Sequence, residues 1–259
     1  MTLPVFLSDL DAVLAGTEPE PLPGPGETIT VTGPEARHAV SVRRLGVGDE
    51  LVLVDGRGNA VRCTVRDTGG RDTMSLIAAE TLAPVNRVPR VTVVQAIPKS
   101  ERAELAVDLA CQGGADAIIP WQAERCIARW SGAKRDKGLN KWRAAAVAAA
   151  KQSRRADVPL IPFLAEVRDV EKLIRETVAS GGVAVLLHEE SSVPFATINW
   201  EQSRDVVLVV GPEGGLSPAE VERFTVAGAC AVRLGPEVLR TATAALSALS
   251  AIGVSSSRW

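Results

Sequence analysis

The chain has 259 residues, of which 46% are hydrophobic and 23% charged, so it is long enough to bury a substantial core and to divide into two domains. No run approaches the ~18 consecutive apolar residues of a membrane helix. The N-terminus lacks a basic region before its short apolar run, so we expect a cytoplasmic protein with no membrane partner. Four widely spaced cysteines and only two histidines argue against a disulfide framework and against a metal site.

The formal net charge of -2 gives no reason to expect a nucleic-acid partner, but the distribution of that charge does. The segment Arg125–Arg155 holds ten basic residues and a single acid, Asp136, so it carries +9 while the rest of the chain carries -11. Such a concentration is typical of a surface that binds a polyanion. A solvated helix face beside a loop would have the same composition, and charge alone does not separate the two interpretations.

The first third of the chain predicts a small β-barrel. Residues 17–26 are rich in proline and glycine and predict a loop. Pro34 begins a predicted helix that extends to Leu45. Around these lie β-type runs separated by turn signals, at Glu27–Val31, Glu50–Val54, Ala60–Arg66 and Met74–Glu80. A proline-marked break at Leu82–Arg90 then indicates a domain boundary, which we place between residues 84 and 85.

Beyond this break, strands and helices alternate, which predicts an α/β domain with a parallel sheet covered by helices on both faces. Strands are predicted at Val91–Ala96, Ala117–Pro120, Val183–Leu187, Val206–Val210 and Ala231–Leu234, and Val158–Phe163 is a further apolar stretch. Helices are predicted at Glu101–Gln112, Leu139–Arg154, Asp169–Ser180, Pro218–Ala227 and Thr241–Ser255. Ligands of such sheets bind beyond the carboxyl ends of the strands, so we expect chemistry in the loops after Leu187, Val210 and Leu234.

The motif GPEGGLSPAE (Gly211–Glu220) follows one of these strands. Ser217, Pro218 and Glu220 are accounted for by a helix start. That start does not account for three glycines and Glu213 at the end of a buried strand, so we interpret the motif as a ligand-binding loop. It is neither a P-loop nor GxGxxG, which disfavours a nucleotide phosphate and a conventional dinucleotide.

Two further motifs follow strands in the same way. LGPEVLRTATAAL (Leu234–Leu246) places Arg240 and Thr241 at a helix start, and LLHEE (Leu186–Glu190) places His188 at a strand end. Each has a purely structural explanation, as a helix start and as a satisfied histidine. The absence of HExxH and GxSxG gives no support to a metalloprotease or a serine hydrolase.

These three motifs, together with KQSRRADVP (Lys151–Pro159) and RHAVSVRRLGVGDELVLVDGRG (Arg37–Gly58), resemble the RsmE family of ribosomal RNA small-subunit methyltransferases in the SPOUT superfamily. The resemblance extends from about Phe6 to Ile252. It implies a PUA-like β-barrel for RNA recognition in residues 1–84. For residues 85–259 it implies a SPOUT methyltransferase domain with a trefoil knot, a topology that periodicity could not have predicted.

The resemblance also implies S-adenosylmethionine as cofactor, a homodimer, and methylation of N3 of one uridine in 16S rRNA of the small ribosomal subunit. Carried over residue by residue, the implied cofactor contacts are Leu187, His188, Glu189, Gly211, Pro212, Glu213, Gly214, Gly215, Leu234, Gly235, Val238, Leu239, Arg240 and Thr241. Ala242 stands where the family commonly has a glutamate, and Cys111 and Gln112 end a helix that usually carries one.

Removal of the N3 proton leaves negative charge on the uracil ring, which an arginine could stabilise. We expect Arg240 or Arg155 in this role; no general base is evident. RNA affinity is expected from basic residues of the barrel and of the +9 segment: Arg37, His38, Arg43, Arg44, Arg57, Arg62, Arg125, Arg129, Lys134, Arg135, Lys137, Lys141, Arg143, Lys151, Arg154 and Arg155. Two alternatives remain open at this stage, a ribose 2′-O-methyltransferase of the same superfamily and a non-catalytic RNA-binding ribosome factor.

Overall fold

The computed structural model describes residues 3–99 and 102–259. It contains two compact units. The N-terminal unit comprises the described residues up to Val85 together with Ala150–Val158, and the C-terminal unit comprises the described residues of Asn86–Ala149 together with Pro159–Trp259. The chain first passes from the N-terminal to the C-terminal unit after Val85, one residue from the predicted boundary. The segment Ala150–Val158, from the middle of the chain, nevertheless belongs to the N-terminal unit.

The N-terminal unit is built on a five-stranded sheet of β1 (Val5–Leu7), β2 (Thr28–Thr32), β3 (Glu50–Val54), β4 (Ala60–Thr68) and β5 (Thr73–Leu82). The strand order is β1-β3-β4-β5-β2, and all neighbours are antiparallel except β1 and β3. No pairing closes the sheet between β1 and β2 within the described residues. Alternate residues of β4 and β5 are buried, as expected for a sheet with one face on a core.

Short helical segments pack on this core. Helix α1 spans Leu10–Ala15 and α2 spans Pro34–Arg37. A π-helical segment, His38–Val42, continues α2, so the predicted helix to Leu45 is shorter and wound differently at its end. Ala36 and Ala39 are buried in the same cluster as Phe6.

The segment Ala150–Val158 is joined to the N-terminal unit by side-chain and backbone contacts. Lys151 is ion-paired with Glu35, a buried carboxylate on α2. Asp157 forms β-bridges with residues 56 and 57 of the loop between β3 and β4. The Val158 N–H donates to the Gly56 carbonyl at 2.8 Å, and the Gly58 N–H donates to the Ala156 carbonyl at 3.2 Å. Backbone pairing of this kind makes the segment part of the unit's structure.

The C-terminal unit contains a second five-stranded sheet, and all its strand pairs are parallel, as predicted. Its strands are β6 (Arg90–Ala96), β7 (Ala117–Trp121), β8 (Val183–Leu187), β9 (Asp205–Val210) and β10 (Cys230–Val232), in the order β10-β8-β9-β6-β7. Its helices are α3 (Ala103–Gln112), α4 (Ala133–Gln152), α5 (Val167–Ala179), α6 (Pro218–Val226) and α7 (Thr241–Val254). The predicted first residue of α3, Glu101, lies outside the described residues.

Helices α5 and α6 contribute Ile174 and Phe224 to a core with strand residues Val94 and Val209. Helices α3 and α7 pack against each other, and α7 also contacts β6 and β9. The strands are consequently buried along almost their whole length, which explains why they are apolar runs without alternation. None of the described helices is long and apolar enough to cross a membrane.

Helix α4 begins at Ala133, six residues before the predicted start. Gly138 lies inside the helix, and the Trp130 ring occupies the space where a side chain would be. A Cβ at residue 138 would lie 2.6 Å from that ring. The helix ends at Gln152, and Arg154, predicted as its last residue, instead has a left-handed backbone with φ 56°. Glycine generally disfavours the interior of a helix, whereas Gly138 makes room there for an aromatic side chain.

Candidate functional site

The three motif-bearing loops begin at one edge of the parallel sheet. Strands β10, β8 and β9 are adjacent, with Leu187 opposite Val232 and Leu186 opposite Val209, so their carboxyl ends lie side by side. The His188 N–H donates to the Val232 carbonyl at 2.9 Å, which ties the start of the loop after β8 to the end of β10. Adjacent loops at the carboxyl edge of a parallel sheet form the usual place for a ligand.

The loop after β9, which we call the GPEGG loop (Gly211–Gly215), is tightly folded. A Cβ at Gly211 would lie 3.2 Å from the Leu216 side chain, so the backbone and this side chain are packed together. Gly215 has φ +71°, which favours glycine, and its N–H donates to the Pro212 carbonyl at 2.9 Å. Glu213 accepts a hydrogen bond from the Lys99 N–H at 3.0 Å. This carboxylate therefore ties the GPEGG loop to the loop after β6.

A buried carboxylate anchors the end of the same loop. Glu220 is 2% exposed and forms a capping box with Ser217 at the start of α6. Its second oxygen accepts from the Glu124 N–H at 2.7 Å, in the loop after β7. The capping box was predicted, but the bond to Glu124 was not, since no local signal marks a contact between residues 96 positions apart.

The loop after β10, Leu234–Arg240, offers groups that could hold a ligand. Val238 is 74% exposed and Leu239 39% exposed, although both are large and apolar. The backbone N–H groups of Gly235, Val238 and Leu239 have no hydrogen-bond partner within residues 3–99 and 102–259. Unpaired donors beside exposed apolar side chains are suited to a ligand that carries both an apolar ring and hydrogen-bond acceptors.

A buried amide fixes the beginning of α7 next to this loop. Gln95, at the end of β6, is fully buried, and its Nε2 donates to the Thr241 carbonyl at 3.3 Å. Its Oε1 is buried without a partner in the described part of the chain. Gln95 was not predicted as a site residue. The available signal was a single amide side chain in the otherwise apolar run VVQAI. Ala242, one residue into α7, is 1% exposed and lies in the core.

The remaining predicted cofactor residues lie at the edge of the sheet. Leu187 and His188 are half-buried where β8 ends, and Glu189 is exposed one residue further on. Pro212 is buried and Gly214 is exposed in the GPEGG loop, while Leu234 is half-buried at the start of its loop. The loops thus bring together residues that are up to 54 positions apart in the sequence.

The two arginines predicted to stabilise charge on the substrate have different environments. Arg240 is exposed and is the N-cap residue of α7. Arg155 belongs to the N-terminal unit, is 7% exposed, and its guanidinium is ion-paired with Asp157. A buried guanidinium that already has a carboxylate partner would have to give up that partner to contact RNA. The structure therefore gives the expected catalytic role of Arg155 no support.

The predicted RNA-binding residues separate into a group whose side chains have no partner in the described part of the protein and a group whose side chains have one. Exposed side chains without a protein partner in the described region are those of Arg37, Arg43, Arg44, Lys134, Lys137 and Arg154, and His38 is half-buried against the ring of Phe6. Arg57, Arg62, Lys141 and Lys151 are ion-paired with acids. Arg125, Arg129, Arg135 and Arg143 donate to backbone carbonyls. Within Arg125–Arg155, the ion pairs of Lys141, Lys151 and Arg155 with acids thus lower the charge that is available to a ligand below the formal value.

The described residues contain no group of three or more His, Cys, Asp or Glu side chains that could hold a metal ion. Cys126, in the loop after β7, is buried, and this burial raises the pKa of its thiol. Burial likewise raises the pKa of Cys63, to about 11. Both thiols therefore stay protonated at neutral pH, and neither is an activated nucleophile.

The sequence profile of the RNA methyltransferase domain matches residues 85–253, and that of the RNA methyltransferase PUA domain matches residues 31–77. The chain is 48% identical over 238 residues to the ribosomal RNA small subunit methyltransferase E of Mycobacterium bovis, covering 92% of this chain and 90% of the relative. It belongs to the ribosomal RNA small subunit methyltransferase E family.

Other members agree with this assignment. The Bacillus subtilis methyltransferase E is 31% identical, over 87% of this chain and 89% of its own. The crystal structure of the Neisseria gonorrhoeae methyltransferase E bound to S-adenosyl methionine superposes with a TM-score of 0.81 at 26% identity, over 98% of both chains. The PUA-like and SPOUT-type architecture expected from the sequence is therefore confirmed.

Proposed function

We propose that this protein catalyses the S-adenosylmethionine-dependent methylation of N3 of a uridine in 16S rRNA of the small ribosomal subunit. The observation that supports this most strongly is the convergence of the three motif loops at one edge of the parallel sheet, in a chain of the methyltransferase E family. Homodimer formation, a cytoplasmic location and the trefoil threading of the C-terminal loops belong to the same proposal, as does the division into domains at residues 84 and 85.

The residues at the sheet edge fit S-adenosylmethionine. The cofactor carries an adenine ring, hydroxyl groups and a carboxylate, which require apolar contacts and hydrogen-bond donors. Val238 and Leu239 provide exposed apolar surface, and the free N–H groups of their loop provide donors. The buried and unpartnered Oε1 of Gln95 shows that the polar groups behind this loop are not fully satisfied by the protein itself. We therefore assign the adenosyl part to the loop after β10 and the remainder to the loops after β8 and β9.

When bound, the cofactor supplies an electrophilic methyl group. The residues of this chain have to position the acceptor, N3 of the uridine, and allow its proton to leave. The packed GPEGG loop and the bond from Gln95 to Thr241 give the binding edge a fixed shape before the substrate arrives. The base edge of a uridine is normally paired or stacked, so the target must be turned out of its helix to reach the edge. Exposed cations such as Arg43, Arg44 and Arg154 are available to hold the RNA backbone.

The product identifies the reaction. Small ribosomal subunits from cells that lack this protein are incubated with the purified enzyme and cofactor, and their nucleosides are analysed by mass spectrometry. We expect N3-methyluridine at a single site. A 2′-O-methylated nucleoside would show a ribose methyltransferase instead, and no product, together with no cofactor binding in calorimetry, would show a non-catalytic ribosome factor.

A pair of glycine variants tests the cofactor site by calorimetry. Gly211→Val places a branched side chain against Leu216, where a Cβ alone would lie at 3.2 Å, and should weaken cofactor binding at least tenfold. Gly46→Val introduces the same side chain in the N-terminal unit, where nothing lies within 4 Å of a Cβ, and should leave binding unchanged. Equal affinities for both variants would remove the GPEGG loop from the cofactor site.

A further inference from the structure

The segment that follows β7 carries an arginine into direct contact with the GPEGG loop. A Cβ on Gly214 would lie 3.2 Å from the Cβ of Arg125, so the glycine allows the two segments to approach this closely without a shift of either. An N–H of the Arg125 guanidinium donates to the Gly214 carbonyl at 3.2 Å. Arg125 is thus both a backbone neighbour and a hydrogen-bond partner of the loop that we assign to the cofactor.

The backbone around Arg125 is held in place by hydrogen bonds of the preceding residue, Glu124. The N–H of the preceding residue, Glu124, donates to the buried Glu220 carboxylate at 2.7 Å, and the Glu124 carbonyl accepts from Arg129 at 2.7 Å. The Arg125 side chain is itself exposed, and only one of its five N–H groups has a partner among the residues that the structure describes. Arg125 is therefore a cation whose backbone is fixed and whose guanidinium still has several free donors at the edge of the site.

We propose that Arg125 is a catalytic residue that stabilises the negative charge on the uracil ring during methyl transfer. This inference rests on the proposed function. In the reaction the N3 proton leaves to water or hydroxide, the N3 electron pair forms a bond to the methyl carbon, and the carbon–sulfur bond breaks with its electrons remaining on sulfur. Before the new bond forms, O2 and O4 of the ring share the negative charge that the lost proton leaves behind. A guanidinium donor aimed at one of these oxygens lowers the free energy of that state.

Arg125 fits this role better than the two arginines expected from the sequence. Arg155 is buried and ion-paired with Asp157. Arg240 is exposed, but its side chain makes no contact that fixes its direction within the described residues. Electrostatic stabilisation is most effective when the donor is oriented before the charge develops, and of these three side chains only that of Arg125 is both accessible and held by a hydrogen bond to a site loop.

Among the described residues, Arg125 forms no ion pair with the acids around it. Glu124 and Glu213 are exposed, and Glu213 is engaged with the Lys99 N–H. Glu220 is buried and accepts from backbone N–H groups, and Arg129 adds a second positive charge on the same segment. An anionic ring that approaches the exposed side of Arg125, at the edge of the GPEGG loop, would therefore meet a guanidinium with free donors.

The test is single-turnover methylation of small ribosomal subunits with saturating RNA and cofactor, measured across pH. Arg125→Gln should slow the reaction roughly 10- to 100-fold at neutral pH, the value of one charge-assisted hydrogen bond, and should move the rising limb of the pH–rate profile to higher pH. Arg125→Lys should recover part of the rate, since it keeps the charge. Arg204→Gln is the matched control, because Arg204 is exposed at the opposite, amino end of β9, and it should behave as wild type.

Several outcomes would overturn the assignment. If Arg125→Gln and Arg125→Lys retain the wild-type rate and pH profile at saturation, Arg125 does not stabilise the ring. If Arg125→Gln only raises the RNA concentration needed for saturation, Arg125 is a phosphate contact and the proposal is wrong. A wild-type enzyme that forms no N3-methyluridine would refute the proposed function itself, a result that does not depend on any Arg125 variant.

Discussion

Replacing Arg258 by alanine should destabilise the C-terminal unit more than any exposed charge does. The Arg258 side chain is fully buried in the short tail after α7, where it is ion-paired with Asp116 at 3.0 Å. It also donates to the carbonyls of Pro89 and Gly114. Asp116 accepts in addition from the Val91 N–H at 2.7 Å, so this cluster joins the tail to the beginning of β6 and to the residues before β7.

We expect Arg258→Ala to lower the free energy of unfolding by about 3 kcal/mol. Removal of one partner from a buried ion pair typically costs 3–5 kcal/mol because the other charge is left uncompensated. Asp116 is 17% exposed and keeps its bond from Val91, so water and this N–H offset part of that cost, which favours the lower end of the range.

Urea unfolding followed by tryptophan fluorescence measures this quantity as the change in the free energy of unfolding. Arg168→Ala is the control, because Arg168 is exposed on α5 of the same unit, and a surface substitution of this kind changes stability by about 0.5 kcal/mol or less. If the two variants lose the same small amount, burial of the Arg258 guanidinium does not have the importance that its geometry indicates.

Two further predictions concern buried groups of the N-terminal unit. Lys151→Ala leaves the Glu35 carboxylate, whose side chain is 5% exposed, without its cation and should cost about 3 kcal/mol in urea unfolding; Gln152→Ala is the exposed control, and equal losses would contradict the argument. Cys63, with a pKa raised to about 11 by burial, should be alkylated by iodoacetamide at pH 8 far more slowly than the half-buried Cys230, as followed by mass spectrometry; equal rates would be the contrary result. Because the folded protein retains the Cys63 proton more strongly than the unfolded chain, whose thiol has a pKa near 9.0, this residue's contribution to stability is complete below pH 9 and is lost as the pH rises towards 11.

Sequence patterns predicted correctly those strands and helix starts that depend only on residues within the element itself. The strand at Val183–Leu187 has the predicted bounds because five consecutive apolar residues between turn signals are typical of a short buried strand. The start of α6 was predicted for a similar reason, since its capping box is local. The three residues of β1 are too few to show a periodicity, and they form a strand only through parallel pairing with β3, a distant segment.

The sequence could not show which charged residues have partners. Lys151 and Arg155 are part of a basic run, yet Lys151 neutralises Glu35 across 116 positions of the chain, and Arg155 turns back to Asp157. Counting formal charges treats such residues as equivalent to Arg154, which is exposed. The contact of Arg125 with Gly214 was hidden for the same reason, because it depends on how two loops 89 positions apart are brought together by the sheet.

The way in which Ala150–Val158 joins the N-terminal unit has a practical consequence for experiments that divide this protein. A fragment cut after residue 85 would lose the cation that compensates Glu35 and the backbone partners of Gly56 and Gly58. The N-terminal unit therefore cannot be excised as one continuous stretch of chain. A chimaera that exchanges this unit between family members should carry both segments from the same parent, and matched transfer of the second segment should restore expression where exchange of the first alone fails.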